Sequence, residues 1–340
     1  MAAPQGSPAG GAVLDFPFPR ARMKPSPYSV VQRDGTARLL RFTPATGEPA
    51  GVPILLIPSL INRWYVLDLR DGSSLVQALV AAGFDTWCLD WGAAEDEDRY
   101  LTWQHVLERL HRATRRVCRE TGHPSIGMLG YCMGATLTTI FSAMHPERVA
   151  ALVNLAGPID FAHAGLLGKL TDAAHFDVNA ISDAGNVHPR QMQSGFTSMR
   201  PTSQIAKWVA LVDRGTDPDF LKAYDALETW ANDNIAFPAE AYRTYIDELY
   251  QRNLLVKGEM RVGGKRVDLG AIECPVLVVV TERDTICPPP AATALIDHCG
   301  SKDTEVVRVP GGHVGGVVGS RAPKITYPAI SGWFAERLRT

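Results

Sequence analysis

Residues 126–136 constrain the fold of this chain more than any other segment. An apolar run at 126–129 is followed by the pentapeptide GYCMG at 130–134 and then by a helical pattern. Glycines on both sides of a cysteine permit a sharp turn that larger side chains would crowd. The helix that follows presents backbone N–H groups and the positive end of its dipole, which favour a thiolate. The segment therefore predicts a strand, a tight turn and a helix, with Cys132 as a nucleophile at the turn.

The same pentapeptide could also surround a buried structural cysteine, because cysteine is among the residue types most often found inside proteins. A nucleophilic thiol has further requirements that distinguish the two interpretations. Since a free thiol has a pKa of about 8.5, it needs a base close by and a carboxylate that orients the base. In a strand–turn–helix arrangement of this type, the acid and then the base follow the nucleophile at later strand ends.

Residues of both types follow in that order. Asp284 lies four residues past the apolar run 276–280, in the loop after it, and His313 lies four residues past the run 306–309 within a glycine-rich loop. Asp284 could alternatively be a turn or helix-capping residue, Glu282 competes with it for the acidic role, and His313 could be an ordinary loop histidine. The other eight histidines lie at no metal-ligand spacing, so we predict no metal site.

Acyl transfer at such a cysteine also requires donors for an oxyanion. One is the backbone N–H of the residue after the nucleophile, here Met133, and the second comes from the loop after an early strand. That loop is predicted at residues 58–60, after the apolar run 54–57. Pro58 has no N–H to donate, so Leu60 is the preferred candidate and Ser59 the alternative.

Short apolar runs alternate with helical patterns along most of the chain. Continuous apolarity is typical of strands that helices cover on both faces, and the alternation predicts a mostly parallel sheet. With the elbow at Cys132, this indicates the α/β class and an α/β-hydrolase fold. The alternation is interrupted at about 160–273, where helical patterns at 203–213, 218–230 and 239–255 predict a lid inserted into the catalytic domain 28–340. The predicted strand segments are 54–57, 84–89, 126–129, 150–155, 276–280 and 305–309.

Composition excludes several other classes of protein. The chain has 340 residues, of which 46% are hydrophobic, and this is enough for one large core. A formal net charge of −2 does not suit nucleic-acid binding, and no apolar run approaches the roughly 20 residues that span a bilayer. The six cysteines lack CxxC spacing, and the start of the chain lacks a signal-like segment, so we predict a reduced, cytoplasmic protein. Residues 1–27 are rich in Ala, Gly and Pro and are predicted to form a flexible arm.

The choice of sulfur indicates the type of reaction. Transfer of an acyl group from a thioester such as an acyl-coenzyme A to Cys132 exchanges one thioester for another at little change in free energy. A hydroxyl activated by His313 can then accept the acyl group as an oxygen ester, which is downhill. The pattern therefore favours acyl transfer through a covalent intermediate.

Four further segments and the GYCMG turn at 130–134 together resemble the catalytic subunit of a polyhydroxyalkanoate synthase. The similarity extends from about residue 53 to 333, and the short N-terminal arm resembles the class III type, which works with an accessory subunit. Two positions depart from the family pattern, since Ala135 replaces a second glycine and Thr285 replaces a histidine. The segments are IPSLINRWYVLDL (57–69), DWG (90–92), DRYLT (98–102) and PGGHVG (310–315).

The resemblance implies a role for each candidate residue. Cys132 would be acylated by a 3-hydroxyacyl-coenzyme A with release of coenzyme A, His313 would be the general base, and Asp284 would assist it. The product would be a growing polyester chain, and no cofactor would be bound permanently. The resemblance also implies a cytoplasmic homodimer at the surface of polymer granules.

Two other functions fit the same pattern. A polyester depolymerase, or another thioester or ester hydrolase of this fold, would release the acyl enzyme with water in place of a chain hydroxyl. A non-catalytic protein that binds granules or a synthase partner is the alternative from another class. An intact set of nucleophile, acid and base favours an enzyme, and the long synthase-like segments favour transfer.

Overall fold

An eight-stranded sheet forms the centre of the structure. The computed structural model describes residues 24–45, 47–49, 51–198 and 211–339. The order across the sheet is β1-β2-β4-β3-β5-β6-β7-β8, in which β1–β2 and β2–β4 are antiparallel and all other pairs are parallel. The predicted mostly parallel sheet is thus confirmed. The strands are β1 (Tyr28–Asp34), β2 (Ala37–Phe42), β3 (Ile54–Ile57), β4 (Thr86–Asp90), β5 (Ile126–Tyr131), β6 (Val149–Leu155), β7 (Val276–Thr281) and β8 (Thr304–Val309).

The sequence patterns predicted six of these strands within a few residues and missed the hairpin of β1 and β2. The side chains of β1 are half-buried or exposed along its whole length, because this strand lies at the edge of the sheet. An edge strand needs no continuous apolar run. Gly35 begins the two-residue loop of the hairpin with φ +57°, a backbone conformation that suits glycine.

Helices cover both faces of the sheet. In β3, Leu55 and Ile57 belong to the core on one face, while Ile54 and Leu56 belong to the core on the other. This is the reason for the continuous apolar run, since successive side chains point to opposite faces. The α-helices are α1 (Leu75–Ala81), α2 (Trp103–Thr121), α3 (Met133–Met144), α4 (Gly165–Leu170), α5 (Val178–Ser182), α6 (Pro189–Ser198), α7 (Pro218–Asn232), α8 (Ala239–Thr244), α9 (Pro289–His298), α10 (Gly315–Val318) and α11 (Thr326–Leu338).

Short elements complete the chain between these helices and strands. A π-helix, Tyr245–Gln251, continues directly from α8. The 3₁₀ helices are Trp64–Leu67, Asp96–Tyr100, Pro146–Arg148, Phe161–His163, Leu269–Ala271 and Ala322–Lys324, and the two small hairpins pair Asp68–Arg70 with Ser73–Ser74 and Arg261–Val262 with Lys265–Arg266.

A long, largely helical segment separates β6 from β7. It contains α4 to α8 and the π-helix, where the sequence predicted a helical insertion at about 160–273. Part of one predicted helix, at 203–213, lies outside the described residues. The predicted break in the strand pattern therefore corresponds to the stretch between Leu155 and Val276.

The predicted N-terminal arm lies mostly outside the described residues, which begin at residue 24. Within the described part of the arm, Ser26 donates hydrogen bonds to Asp68 from its backbone N–H at 2.6 Å and from its hydroxyl at 2.9 Å. The backbone carbonyl of Pro27 accepts a hydrogen bond from the N–H of Thr43 at 2.9 Å. The last residues of the predicted arm, 24–27, are thus attached to the domain.

Candidate active site

Cys132 occupies the turn between β5 and α3. Its backbone has φ +56° and ψ −128°, a conformation that is rare for any residue with a side chain. The turn is held by two hydrogen bonds, from the Cys132 N–H to the carbonyl of Leu155 at 3.0 Å and from the Ala135 N–H to the carbonyl of Cys132 at 2.9 Å. The side chain is partly exposed. This excludes the interpretation of Cys132 as a sealed structural thiol.

The flanking glycines are required by close backbone contacts. A Cβ at Gly130 would overlap the backbone of Gly134 and Ala135, and a Cβ at Gly134 would overlap the carbonyl oxygens of Ile57 and Pro58. The first turn of α3 therefore lies directly against the end of β3 and the loop that follows it. This contact brings the two predicted sources of oxyanion donors together.

Ala135, one of the two departures from the family pattern, is accommodated locally. Its side chain is fully buried, and its Cβ lies where a Cβ at position 157 would be. Because residue 157 is glycine, the extra methyl group of Ala135 fits below the turn. Thr136 adds a hydrogen bond from its hydroxyl to the carbonyl of Pro158 at 2.7 Å.

Asp284 lies in the loop that leaves β7, and its side chain is completely buried. One carboxylate oxygen accepts hydrogen bonds from the backbone N–H groups of Ile286 at 2.9 Å and Cys287 at 2.8 Å. The other accepts from the Thr281 hydroxyl at 2.9 Å and from Nδ1 of His313 at 2.8 Å. Although burial acts to raise the pKa of Asp284, the bond to His313, the charge of the imidazolium and the two backbone donors outweigh it and lower the pKa.

His313 follows β8 and points its two ring nitrogens in different directions. Nδ1 faces Asp284, while Nε2 is buried and makes no hydrogen bond within the described part of the chain. The ring is only 6% exposed, and it stacks on Tyr131 with a centroid distance of 5.5 Å and an interplanar angle of 27°. The base is therefore held in one orientation, with Nε2 available to a reacting group.

The pKa of His313 indicates which group Nε2 faces. Burial acts to lower this pKa, but the negative charge of the Cys132 thiolate, and then Asp284, raise it from the ordinary 6.5 to about 10. The sulfur thus lies close enough to the ring for a hydrogen-bonding interaction with it to raise the pKa as well, although the contact of Nε2 with the sulfur falls short of full hydrogen-bond geometry. A protonated imidazole at neutral pH attracts a thiolate, as a cysteine nucleophile requires.

The structure brings Cys132, His313 and Asp284 together at the carboxyl ends of the parallel strands β5, β8 and β7. Glu282, the competing acid, is exposed and is not bonded to His313. Within the residues that the structure describes, no group of three or more His, Cys, Asp or Glu side chains could hold a metal ion.

The two backbone N–H groups predicted as oxyanion donors lie at the start of α3 and in the loop after β3. One is the N–H of Met133, the first residue of α3, and the other is the N–H of Leu60. Neither N–H group donates to an acceptor in the described part of the chain. The loop is fixed at Pro58, whose carbonyl accepts a hydrogen bond from Nε1 of Trp91 at 3.0 Å. Both residues remain predictions as donors, and the contact of Gly134 with this loop supports them.

An aromatic group from the segment between β6 and β7, which the sequence patterns did not reveal, lies near Cys132. Tyr245 and Tyr250 lie on the π-helix, 5.2 Å apart between ring centroids, and Tyr250 contacts Phe161 edge to face at 4.8 Å. Burial raises the pKa of both phenols well above 10, and the nearby Cys132 thiolate raises it further. The phenols therefore stay protonated beside the sulfur. A five-residue spacing falls on different faces of a regular α-helix, so the sequence carried no signal for this pair, which the π-helix brings together.

The fold and the family are settled by comparison with known proteins. The alpha/beta hydrolase fold family matches residues 52–319, and the family described as the N-terminus of poly-beta-hydroxybutyrate polymerase (PhaC) matches residues 22–79. A poly(3-hydroxyalkanoate) polymerase subunit PhaC from Allochromatium vinosum is 32% identical over 92% of this chain and 89% of its own length. The chain belongs to the PhaC family.

Other comparisons agree with the assignment to the PhaC family. The subunit PhaC from Haloferax mediterranei is 36% identical over 93% of this chain, which spans only 65% of that relative's length. The solved structure of a soluble variant of monoglyceride lipase from Saccharomyces cerevisiae aligns with 96% of this chain over 100% of the lipase chain, with 15% identity and a TM-score of 0.56. This likeness concerns the fold alone.

The predicted resemblance to the synthase family and the predicted α/β-hydrolase fold are both confirmed. Among the described residues of this PhaC relative, no helix is long and apolar enough to cross a membrane.

Proposed function

We propose that this protein polymerises 3-hydroxyacyl-coenzyme A into polyhydroxyalkanoate through a covalent thioester on Cys132. The observation that carries the proposal is the buried His313, which is hydrogen-bonded to Asp284 through Nδ1 and has a pKa that Cys132 raises. Membership of the PhaC family supports the substrate class. Coenzyme A is part of the substrate, and no permanent cofactor is needed.

The first step forms the acyl enzyme. The Cys132 thiolate attacks the thioester carbonyl, and the developing oxyanion accepts hydrogen bonds from the N–H groups of Met133 and Leu60. When the tetrahedral intermediate collapses, the bond to the coenzyme A sulfur breaks, and protonated His313 gives its proton to that leaving thiolate. The acyl group remains activated because one thioester has replaced another.

The second step forms the ester bond. His313, now neutral, takes the proton from the 3-hydroxyl of an incoming hydroxyacyl-coenzyme A as that oxygen attacks the acyl group on Cys132. Cys132 leaves as a thiolate, and the chain, longer by one unit, is held on coenzyme A until Cys132 attacks its thioester again. In both steps Asp284 keeps Nδ1 protonated and the ring in position.

The same proposal includes the surroundings of the enzyme. From the resemblance to the synthase family, we propose that the protein acts in the cytoplasm at the surface of polymer granules, as a homodimer and with an accessory synthase subunit. Gel filtration and co-purification with a candidate accessory subunit would test these assemblies separately from catalysis.

Incubation of the purified protein with 3-hydroxybutyryl-coenzyme A tests the reaction. We expect insoluble polyester together with free coenzyme A, in amounts that agree with one coenzyme A for each unit added. Release of free 3-hydroxybutyrate without polyester would contradict polymerisation and favour a hydrolase of the same fold. Absence of any coenzyme A release, with and without an accessory subunit, would favour the non-catalytic alternative.

A further inference from the structure

The loop that carries Leu60 is joined to the insertion through the residues that follow Leu60, from Ile61 to Tyr65. We define the oxyanion loop as residues 58–65 and the clamp segment as residues 230–235, at the end of α7 and just beyond it. The backbone N–H of Ile235 donates to the carbonyl of Ile61 at 3.2 Å, and Asn62 and Asn234 form an isolated β-bridge. About 170 residues of sequence separate the two segments, so this contact belongs to the tertiary fold.

Side chains reinforce this backbone contact at both ends of the clamp segment. Nε1 of Trp230 donates to the carbonyl of Arg63 at 3.0 Å. Asp233 accepts two hydrogen bonds from the oxyanion loop, from Nε of Arg63 at 3.1 Å and from the Tyr65 hydroxyl at 2.6 Å. The amide of Asn62 donates to Asn234 at 2.5 Å.

The exposure of these side chains indicates that their contacts fix the position of the oxyanion loop more than they add to the free energy of unfolding. The Asp233 side chain is 42% exposed and Arg63 is 32% exposed, and ion pairs in such surroundings contribute little to folding. The Tyr65–Asp233 bond is short and charge-assisted, which gives it a defined geometry. Opposite the clamp segment, only the Trp91 bond to Pro58 holds the start of the loop among the described side-chain contacts.

We infer that Asp233 is a positioning residue, which through Tyr65 and Arg63 holds the oxyanion loop so that the Leu60 N–H points at the developing oxyanion. The inference rests on the proposed function. It assigns to the insertion a part in the acyl-transfer step itself, in addition to placing aromatic rings near Cys132. When the clamp segment is displaced, the donor from the oxyanion loop loses its orientation while Cys132, His313 and Asp284 stay in place.

The test compares two reactions of the same sulfur. Release of coenzyme A from 3-hydroxybutyryl-coenzyme A passes through an oxyanion, whereas alkylation of Cys132 by iodoacetamide needs the thiolate and no oxyanion donor. For Asp233→Ala we expect kcat for coenzyme A release to fall about tenfold with KM within about twofold, because a misaligned donor costs part of the 10²–10³-fold effect of a lost one. The alkylation rate should stay within about twofold of wild type.

Two variants keep the test independent of a folding defect. Asp233→Asn retains an acceptor oxygen for Tyr65 and should retain more activity than Asp233→Ala. Tyr65→Phe should lower kcat in the same way, and the double variant with Asp233→Ala should lose little more than the single one, because both act through one contact. Asp219→Asn is the matched control, since this carboxylate lies on α7, the helix that ends just before Asp233, is 94% exposed and pairs only with Lys222 at 3.5 Å among the described ion pairs.

Three results would overturn the inference while leaving the proposed function intact. The first is an unchanged kcat in both Asp233→Ala and Tyr65→Phe. The second is a raised KM at constant kcat, which would mean that the clamp segment controls only substrate entry. The third is an equal fall in the rates of Cys132 alkylation and coenzyme A release. A wild-type protein that releases no coenzyme A would instead contradict the proposed function, and the inference with it.

Discussion

Asp284 and Asp233 each accept a hydrogen bond from a ring-bearing side chain, His313 and Tyr65 respectively, but the surroundings of the two carboxylates differ. Asp284, at the sheet, is completely buried and accepts four hydrogen bonds, whereas Asp233, in the insertion, is 42% exposed and accepts two from side chains of one loop. A buried, fully bonded carboxylate has one available geometry. A half-exposed one can exchange its partners for water. The sheet therefore fixes the groups proposed for the chemistry, and the insertion offers contacts that can be adjusted.

The largest effect is expected where the buried carboxylate loses its charge. An asparagine at 284 can offer an oxygen either to His313 or to the N–H groups of Ile286 and Cys287, but not to both. We expect Asp284→Asn to lower kcat for coenzyme A release about 10³-fold, because the imidazole is then held in the wrong tautomer or left without a partner. Steady-state kinetics measures this.

Glu282→Gln is the matched control for that variant. Glu282 lies two residues away in the same loop and is exposed, so its kcat should stay within about twofold of wild type. If Glu282→Gln were the more damaging substitution, the acid would have been assigned to the wrong carboxylate.

A smaller effect is expected from the backbone contact below the nucleophile. Gly134→Ala places a Cβ on the carbonyl oxygens of Ile57 and Pro58, and overpacking of this kind costs about 1–3 kcal/mol in the free energy of unfolding. Denaturant unfolding gives the value. Gly332→Ala is the control, because Gly332 is exposed in α11 with no atom near the added Cβ, and it should gain up to about 1 kcal/mol. Equal effects at both positions would contradict the close packing of α3 on β3.

The pH dependence of His313 separates the sulfur from the carboxylate as causes of its raised pKa. Cys132→Ser removes the thiolate charge, so the pKa of His313 should fall from about 10 towards 6.5, as measured by NMR titration of the ring. A raised pKa means that the protonated ring contributes stability fully below about pH 6.5 and loses this contribution as the pH rises through 10. In Cys132→Ser the loss should therefore occur at lower pH. An unchanged titration would show that Cys132 and His313 do not interact.

The smallest effect is expected inside the insertion. Arg243, on α8, donates to Asn179 at 2.8 Å and to Asp183 at 2.7 Å, which joins it to α5. Because Asp183 is 68% exposed and Arg243 is 33% exposed, water screens the pair, so Arg243→Gln should cost less than about 1 kcal/mol in the free energy of unfolding and leave kcat unchanged. A loss above about 2 kcal/mol in thermal or denaturant unfolding would show that the insertion is held as rigidly as the sheet.

The sequence predicts the buried sheet better than it predicts the edge hairpin or the contacts of the insertion. Buried strands leave continuous apolar runs, and Cys132, Asp284 and His313 could be proposed because each lies three or four residues past the end of such a run. The edge hairpin of β1 and β2 left no such signal, since its outer strand is half exposed. Neither did the contact of Asp233 with Tyr65, because its partners are 168 residues apart and each is an ordinary surface residue type.

Mass spectrometry of the protein after brief exposure to 3-hydroxybutyryl-coenzyme A tests the central claim most directly. Covalent catalysis by Cys132 predicts one acyl group for each chain, on the peptide that contains Cys132, and none on that peptide in Cys132→Ala. An acyl group on a different residue of the wild-type protein, or coenzyme A release by Cys132→Ala at the wild-type rate, would contradict it.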